Sequence, residues 1–315
     1  MANDIIEIKD LVKRFGNFTA VDKMNLTVKE GEILGFLGPN GAGKTTTISM
    51  LTTLILPTAG DAKIAGYDLL KEGEKVRSVI GVVPQSFSLF PELTAEENLT
   101  YIGRLYGLSE KLVKERSTAI LKRVSLFDHR ARIAGVFSGG MKQRLSIAAS
   151  IMSSPKILFM DEPTTGLDPQ SRIAIRELTK ELNKSGMTVI YTTHDMEEAE
   201  KICDRIVIMD GGKIIGNGTS EELKHLLLKG YLLNVKIKTK GSVTDLAKEI
   251  KKIPNVTKVE FEKDTINIIV SKKDDTFYKV SKLLHDKRAL IEDMQYKEPT
   301  LEEVFISLTK KDLRD

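Results

Sequence analysis

Gly38-Pro39-Asn40-Gly41-Ala42-Gly43-Lys44-Thr45-Thr46 decides how this chain reads. The stretch satisfies G-x-x-x-x-G-K-[ST] and follows the apolar run Ile33-Leu34-Gly35-Phe36-Leu37, so a strand is predicted to break into a loop and then into a helix beginning near Lys44. Glycines in such a loop let backbone N–H groups turn toward a β-phosphate with no Cβ in the way, and the helix adds the positive end of its dipole. Lys44 is expected to reach the β- and γ-phosphates of a nucleotide, and the Thr45 hydroxyl to ligate Mg²⁺.

Working outward, three further apolar runs fit buried parallel strands: Val79-Ile80-Gly81-Val82-Val83, Ile157-Leu158-Phe159-Met160 and Thr188-Val189-Ile190-Tyr191. The second delivers Asp161 and Glu162 at its C-terminal end, where α/β sheets place ligands. Asp161 suits a Mg²⁺ shell, and Glu162 is the candidate base for a water attacking a γ-phosphate. Upstream, Ile5-Ile6-Glu7-Ile8 and Leu26-Thr27-Val28 read as strands of a small β layer beside the nucleotide, joined through Phe15-Gly16 and Val21. From about Ala95 to Ala131 the chain reads as mostly helical, with Leu99, Ile102, Leu105 and Tyr106 at helical spacing, an insert on an α/β core. Arg205-Ile206-Val207-Ile208-Met209 and Lys213-Ile214-Ile215 flank Asp210-Gly211-Gly212, a hairpin signal that closes the first domain.

The pattern then changes. Leu233, Val235 and Ile237 alternate with Asn234, Lys236 and Lys238, as in a strand with one wet face. A helix carrying Val243, Leu246, Ala247 and Ile250 behind a Ser242 N-cap comes next. Strands near Val256 to Phe261 and Thr265 to Val270, a helix near Asp275 to His285 and a strand near Leu290 to Met294 complete the β-α-β-β-α-β ferredoxin-like order. Thr300 to Leu308 reads as a terminal helix, with Leu301, Val304, Phe305 and Leu308 on one stripe. The predicted domains are 1–228, with a helical subdomain at about 95–155, and 229–315.

Ser138-Gly139-Gly140-Met141-Lys142-Gln143-Arg144 makes a family legible. Together with Phe15, Gln85, Asp161-Glu162-Pro163, Gly166-Leu167-Asp168 and His194, in that order, it resembles the nucleotide-binding subunit of an ABC transporter over roughly Ile5 to Leu223. The resemblance implies an α/β P-loop NTPase: an ABC cassette with a RecA-like core, an antiparallel β layer and a helical subdomain, followed here by the small α+β domain. It implies ATP with Mg²⁺, and a head-to-tail dimer in which Ser138, Gly139 and Gly140 at a helix N-terminus face the γ-phosphate held by Lys44 of the other subunit. Gln85 would sense Mg²⁺ and the attacking water, His194 would contact the γ-phosphate, and Asp168 would cross the dimer interface. Phe15 would stack on adenine, a contact that needs only a π face, with Val21 grouped beside it.

Phe137 and Met141 stand where the commonest signature has Leu and Gln, and Phe15 stands where Tyr is usual; Met141 cannot offer the amide hydrogen bond of Gln. Such a signature, with Gly166-Leu167-Asp168-Pro169 and the ending Pro299-Thr300-Leu301-Glu302-Glu303-Val304-Phe305, resembles the ABC-2-type exporters of the daunorubicin-resistance and sodium-extrusion kind. That implies two partners, a separate transmembrane permease subunit and a second copy of the chain or a paralogous ATPase subunit. Ser86 to Glu97, with Phe87, Leu89, Phe90 and Leu93 at the edge of the nucleotide site, is the candidate groove for a cytoplasmic helix of the permease.

Composition agrees with this reading and narrows it. The 315 residues allow one large α/β domain and a smaller one. Lys+Arg 48 against Asp+Glu 44 leaves a formal charge of +4, too slight a bias to argue for a nucleic-acid partner. Cys203 is the only cysteine, so no intrachain disulfide or cysteine zinc cluster can form, which fits a reducing compartment. Met1-Ala2-Asn3-Asp4 is polar, and no run approaches the roughly 20 apolar residues of a spanning helix. The expected location is cytoplasmic, peripheral on the cytoplasmic face of the cell membrane. A GTPase would need an N-K-x-D base reader, and Asn183-Lys184-Ser185-Gly186 lacks the aspartate. A soluble ABC-type ATPase switch not coupled to a permease would share every nucleotide residue named. Repair enzymes of that kind carry a long coiled coil, yet Lys44 to Ser138 holds no sustained heptads; translation factors carry two cassettes, and this chain has one. Glu162 and His194 argue against a non-catalytic binding module.

Overall fold

The computed structural model describes residues 3–227, 231–239, 243–262, 264–271, 275–297 and 300–312. In chain order the first part holds β1 (Asp4–Phe15), β2 (Phe18–Lys29), β3 (Ile33–Leu37), α1 (Lys44–Leu51), β4 (Ala59–Ile64), β5 (Tyr67–Asp68), α2 (Gly73–Val79) and β6 (Ile80–Val83). Then come α3 (Ala95–Leu105), α4 (Glu110–Arg123), α5 (Gly139–Ser150), β7 (Ile157–Asp161), α6 (Pro169–Lys184), β8 (Thr188–Thr193), α7 (Met196–Ile202), β9 (Arg205–Asp210) and β10 (Lys213–Gly218). The remainder is α8 (Ser220–Leu227), β11 (Tyr231–Lys238), α9 (Val243–Ile250), β12 (Val256–Glu262), β13 (Thr265–Val270), α10 (Thr276–Asp286), β14 (Leu290–Lys297) and α11 (Leu301–Asp312). The chain divides into two compact units, Met1–Asn217 and Gly218–Asp315.

In the first unit a six-stranded sheet runs β10-β9-β3-β8-β7-β6. Its inner strands β3, β7 and β8 are buried at every residue, as expected of parallel strands covered on both faces. The three strands are parallel neighbours, so the loops bearing Lys44, Glu162 and His194 leave them at one end of the sheet. A separate layer, β2-β1-β4-β5, packs its inward residues with α1 into one core that includes Ile6, Leu11, Val21 and Met24. A second core gathers the helical insert around Leu99, Leu121, Leu145 and Met152. Helix starts in the insert follow side-chain caps: Thr94 and Glu97 form a capping box on α3, and Ser109 caps α4.

Several expectations are corrected. The strands expected at Ile5–Ile8 and Leu26–Val28 are parts of two twelve-residue strands. Their alternation is broken by a bulge where Asp10 takes φ 47 and Asn25 bonds both its N–H (3.0 Å) and its carboxylate (2.9 Å). Val79, expected to open a strand, ends α2, and the β4–β5 hairpin was not anticipated at all. Of the residues at helical spacing, Leu99 is fully buried, whereas Leu105, which ends α3, and Tyr106, its C-cap, are exposed.

The second unit carries an antiparallel sheet in the order β12-β13-β11-β14 with α9 and α10 as its crossovers, which is the ferredoxin-like arrangement. Leu233, Val235, Ile266, Ile268, Val280 and Leu284 form its core. The domain boundary expected between 228 and 229 falls instead between Asn217 and Gly218. The reason is packing: α8 lies against α11, with Leu223, Leu301 and Val304 buried, so α8 belongs to the second unit and the terminal stripe is largely covered within it. Ser242, the expected cap of α9, lies outside the described residues.

Candidate functional site

The loop between β3 and α1 takes the conformation its sequence demands. Gly43 has φ 102, and a Cβ there would come within 2.5 Å of the Ala20 carbonyl oxygen, so only glycine fits. Lys44 is buried; its ammonium donates to the carbonyls of Gly38 (2.7 Å) and Pro39 (3.1 Å) and lies 3.4 Å from Glu162 Oε1. Asn40, Gly41, Gly43, Lys44, Thr45 and Thr46 line a cleft of about 330 Å³ together with Gln85, Glu162, Phe18 and Ala20.

At the end of β7 the two carboxylates take different partners. Asp161 Oδ1 accepts from the Thr45 hydroxyl (3.2 Å) and from the Thr192 hydroxyl (2.6 Å). The Thr192 oxygen in turn accepts from the Glu162 N–H (2.9 Å), so one hydroxyl on β8 pins both acids. Glu162 sits at φ 46, a strained backbone for a non-glycine residue and one that turns its side chain into the cleft. There Glu162 Oε2 is reached by His194 Nδ1 (3.2 Å), the Thr165 hydroxyl (3.2 Å) and the Gln85 amide (3.4 Å). Burial pushes this carboxyl up, but the His194 hydrogen bond and the Lys44 charge outweigh burial and hold it below the usual carboxylate value.

Ser138 caps α5, its hydroxyl accepting from the Met141 N–H (3.3 Å), with Ser138 and Gly139 exposed. Asp168 caps α6 through the Ser171 N–H (2.9 Å) and also accepts from the Ser171 hydroxyl (2.6 Å); these bonds lower its carboxyl. Gly140 packs directly on Ser171, joining the two cap regions. Phe15 is exposed at the tip of the β1–β2 hairpin with the Lys13 ammonium 5.0 Å from its ring centre. Val21 does not reach the cleft: it is fully buried in the β-layer core, because strand alternation turns it inward while Ala20 and Phe18 line the cleft.

The sequence reading brought Lys44, Thr45, Asp161, Glu162, Gln85 and His194 to one place, and it missed Thr192, Thr165 and Phe18. Two of the missed residues are threonines whose role depends on which atom faces a neighbouring loop, a relation no local pattern carries. In the segment after Gln85, Phe87 and Phe90 are exposed and Phe90 makes an edge contact with Tyr101, centroids 4.7 Å apart. Leu89 and Leu93 are instead partly buried. Asn98, buried at 1 % exposure, brackets Phe90 by accepting from its N–H (2.9 Å) and donating to its carbonyl (3.0 Å).

Residues 21–165 match the family model described as ABC transporter, and residues 218–309 match the C-terminal domain of ATP-binding proteins like DrrA1-3. The linearmycin resistance ATP-binding protein LnrL of Bacillus subtilis (strain 168) is 40% identical over 313 residues, covering 99% of this chain and 100% of its own. The chain belongs to the ABC transporter ATP-binding proteins. The daunorubicin resistance ATP-binding protein DrrA3 of Streptomyces coeruleorubidus is 36% identical over 314 residues, covering 100% of this chain and 98% of its own. A solved dimeric ATP-binding cassette in a post-hydrolysis state with ADP and Pi superposes with a TM-score of 0.62 at 31% identity, over 68% of this chain and 98% of the other. This ABC ATPase therefore binds and hydrolyses ATP to power a membrane permease, in the branch that includes the DrrA-like exporter ATPases. No helix among its described residues is long and apolar enough to cross a membrane itself.

Proposed function

We propose that this ABC ATPase drives an exporter by closing head to tail with a second copy of itself or a paralogous subunit, sandwiching ATP between the Lys44 loop of one and Ser138 of the other. The observation that carries the reading is the convergence on Glu162: Lys44, His194, Gln85 and Thr165 all reach its two oxygens. A carboxylate held ionised at that point can accept a proton from a water lined up on the γ-phosphate, while Lys44 exchanges its carbonyl partners for phosphate oxygens. His194, half exposed beside Glu162, would contact the γ-phosphate. The Ser138 hydroxyl and the free N–H groups at the start of α5 would supply the other half of that phosphate's cradle.

The Thr45 hydroxyl and Asp161 carboxylate are hard oxygen donors 3.2 Å apart, with Gln85 on the same cleft, a set that suits Mg²⁺ bound beside phosphate oxygens and water. Mg²⁺ held there would neutralise charge on the β- and γ-phosphates. Phe15, with Phe18 three residues on, offers exposed aromatic faces for adenine. The exposed Phe87, Phe90 and Tyr101 suit a helix from the cytoplasmic side of a permease, which would hold this chain at the cytoplasmic face of the membrane. The resistance names of the relatives support export as the direction.

Glu162→Gln is expected to bind ATP yet hydrolyse it at least about 10²-fold more slowly, and to accumulate an ATP-bound dimer by light scattering. Lys44→Ala should lose ATP affinity itself. Undiminished turnover in Glu162→Gln would remove Glu162 as the base.

A further inference from the structure

Glu198 is a carboxylate that none of the chemistry above uses. It lies on α7 at 5 % exposure and makes no ion pair among the described residues. Three hydroxyls satisfy it instead. Oε1 accepts from Tyr191 (2.9 Å), and Oε2 accepts from Thr164 (2.8 Å) and Thr193 (3.0 Å), all three donors being buried.

The positions of the donors give the arrangement its meaning. Thr164 lies two residues past Glu162, and Thr193 immediately precedes His194. Tyr191 anchors the same carboxylate to the body of β8. The Thr193 oxygen also accepts from the Asp195 N–H (2.9 Å), and Asp195 caps α7 by accepting from the Glu198 N–H (3.1 Å). The loop bearing His194 is thus closed on itself through Thr193, Asp195 and Glu198, and stapled by Glu198 to the loop bearing Glu162. Hydroxyl bonds to an ionised carboxylate are short and strong, and burial removes competing water. Burial, with Glu198 beside it, pushes the Tyr191 phenol well up, so it stays a donor.

We propose that Glu198 is a positioning residue for ATP hydrolysis: by stapling Thr193 to Thr164 it sets the 3.2 Å approach of His194 to Glu162. The proposal rests on the reading of Glu162 as the base. A misplacement of about 1 Å in how two reacting groups are held can lower a rate by about 100-fold without touching the groups themselves.

The test compares Glu198→Gln, Thr164→Val and Thr193→Val, each close to isosteric, with the wild type in the full chain. Expected is a kcat lowered by about tenfold, with ATP affinity and KM within about twofold of wild type and an unfolding midpoint that excludes global loss of structure. In a His194→Ala background the same Glu198→Gln change should cost nothing further, because the contact it sets has gone; single-turnover rates measure this. Wild-type kcat in all three variants overturns the proposal. So does an equal, additive loss in the His194→Ala background, or a loss that tracks the unfolding midpoint alone. Glu162→Gln run in parallel keeps the two readings apart: full activity there would dismiss Glu162 as base whatever Glu198 does.

Discussion

A methyl group on Gly140 would overlap the Ser171 hydroxyl oxygen and lie 2.7 Å from the Ser171 Cβ. The first turns of α5 and α6 therefore meet without room for a side chain, and the glycine of the signature has a packing reason independent of any nucleotide. Gly140→Ala is expected to lower stability by about 1–3 kcal/mol, the usual range for overpacking, as read by thermal or urea denaturation. Adding Ser171→Gly removes the clashing atoms and should restore most of that loss. A double variant no more stable than Gly140→Ala would show that this contact is not what requires glycine.

The pH dependence follows from Glu162, whose carboxyl is held below its ordinary value of 4.5. A depressed folded-state pKa contributes stability that is complete above the unfolded value and is lost as pH falls through the folded one. Hydrolysis limited by this base should accordingly stay level on going down from neutrality and decline only below 4.5. Removing the His194 hydrogen bond takes away the largest of the contributions that lower it. In His194→Ala the acid limb of single-turnover rate against pH should move upward. A limb that stays where it was would separate His194 from the ionisation of the base.

Exposed phenylalanines next to a hydrolytic site need an occupant or a reason. Phe87→Asp with Phe90→Asp should leave basal ATPase within about twofold while abolishing co-purification with the membrane subunit, since a charge would have to be buried in an apolar contact. Wild-type recovery of the complex would end the docking interpretation.

The unit boundary is testable by truncation. A chain ended at Asn217 removes α8 with the partner helix that covers it, whereas one ended at 230 keeps α8 and exposes Leu223. The shorter chain is expected to be the more soluble and at least as stable, and to bind ATP like the full chain, because every residue lining the nucleotide cleft precedes Asn217. Better behaviour from the longer fragment would return α8 to the first unit.

Where local pattern and tertiary role coincide, the sequence was enough to read the molecule. Lys44, Thr45, Asp161 and Glu162 come at or after the ends of the apolar runs Ile33–Leu37 and Ile157–Met160, and such runs deliver what ends or follows them to one edge of a sheet whatever surrounds them. The ferredoxin-like order was legible because Leu233, Val235 and Ile237 alternate cleanly with polar neighbours. The β4–β5 hairpin was hidden because Ala59–Ile64 mixes small and charged residues and buries only Ala62 and Ile64. Val21 was misplaced because one step along a strand exchanges cleft for core. The Glu198 cluster was invisible for a different reason: its donors come from two loops, and only the closed fold makes Thr164 and Thr193 neighbours.

The Asn98 bracket on Phe90 continues further than its own four atoms suggest. Ala134 N–H donates to the Leu93 carbonyl (2.8 Å), Gly135 N–H to the Pro91 carbonyl (2.8 Å), and Phe137 N–H to the Ala134 carbonyl (3.1 Å), which ends the series one residue before Ser138. A linkage of this kind has no preferred direction. If ATP draws Ser138 toward a partner's phosphate and this bonded segment moves as one piece, the surface at Phe90 is displaced with it, and a ligand whose affinity for Phe90 differs between the two positions alters the free energy of closing around ATP. Reciprocity then fixes what a transport measurement and a nucleotide titration have in common, since the factor by which a bound permease changes ATP-driven closure equals the factor by which ATP changes the grip on the permease.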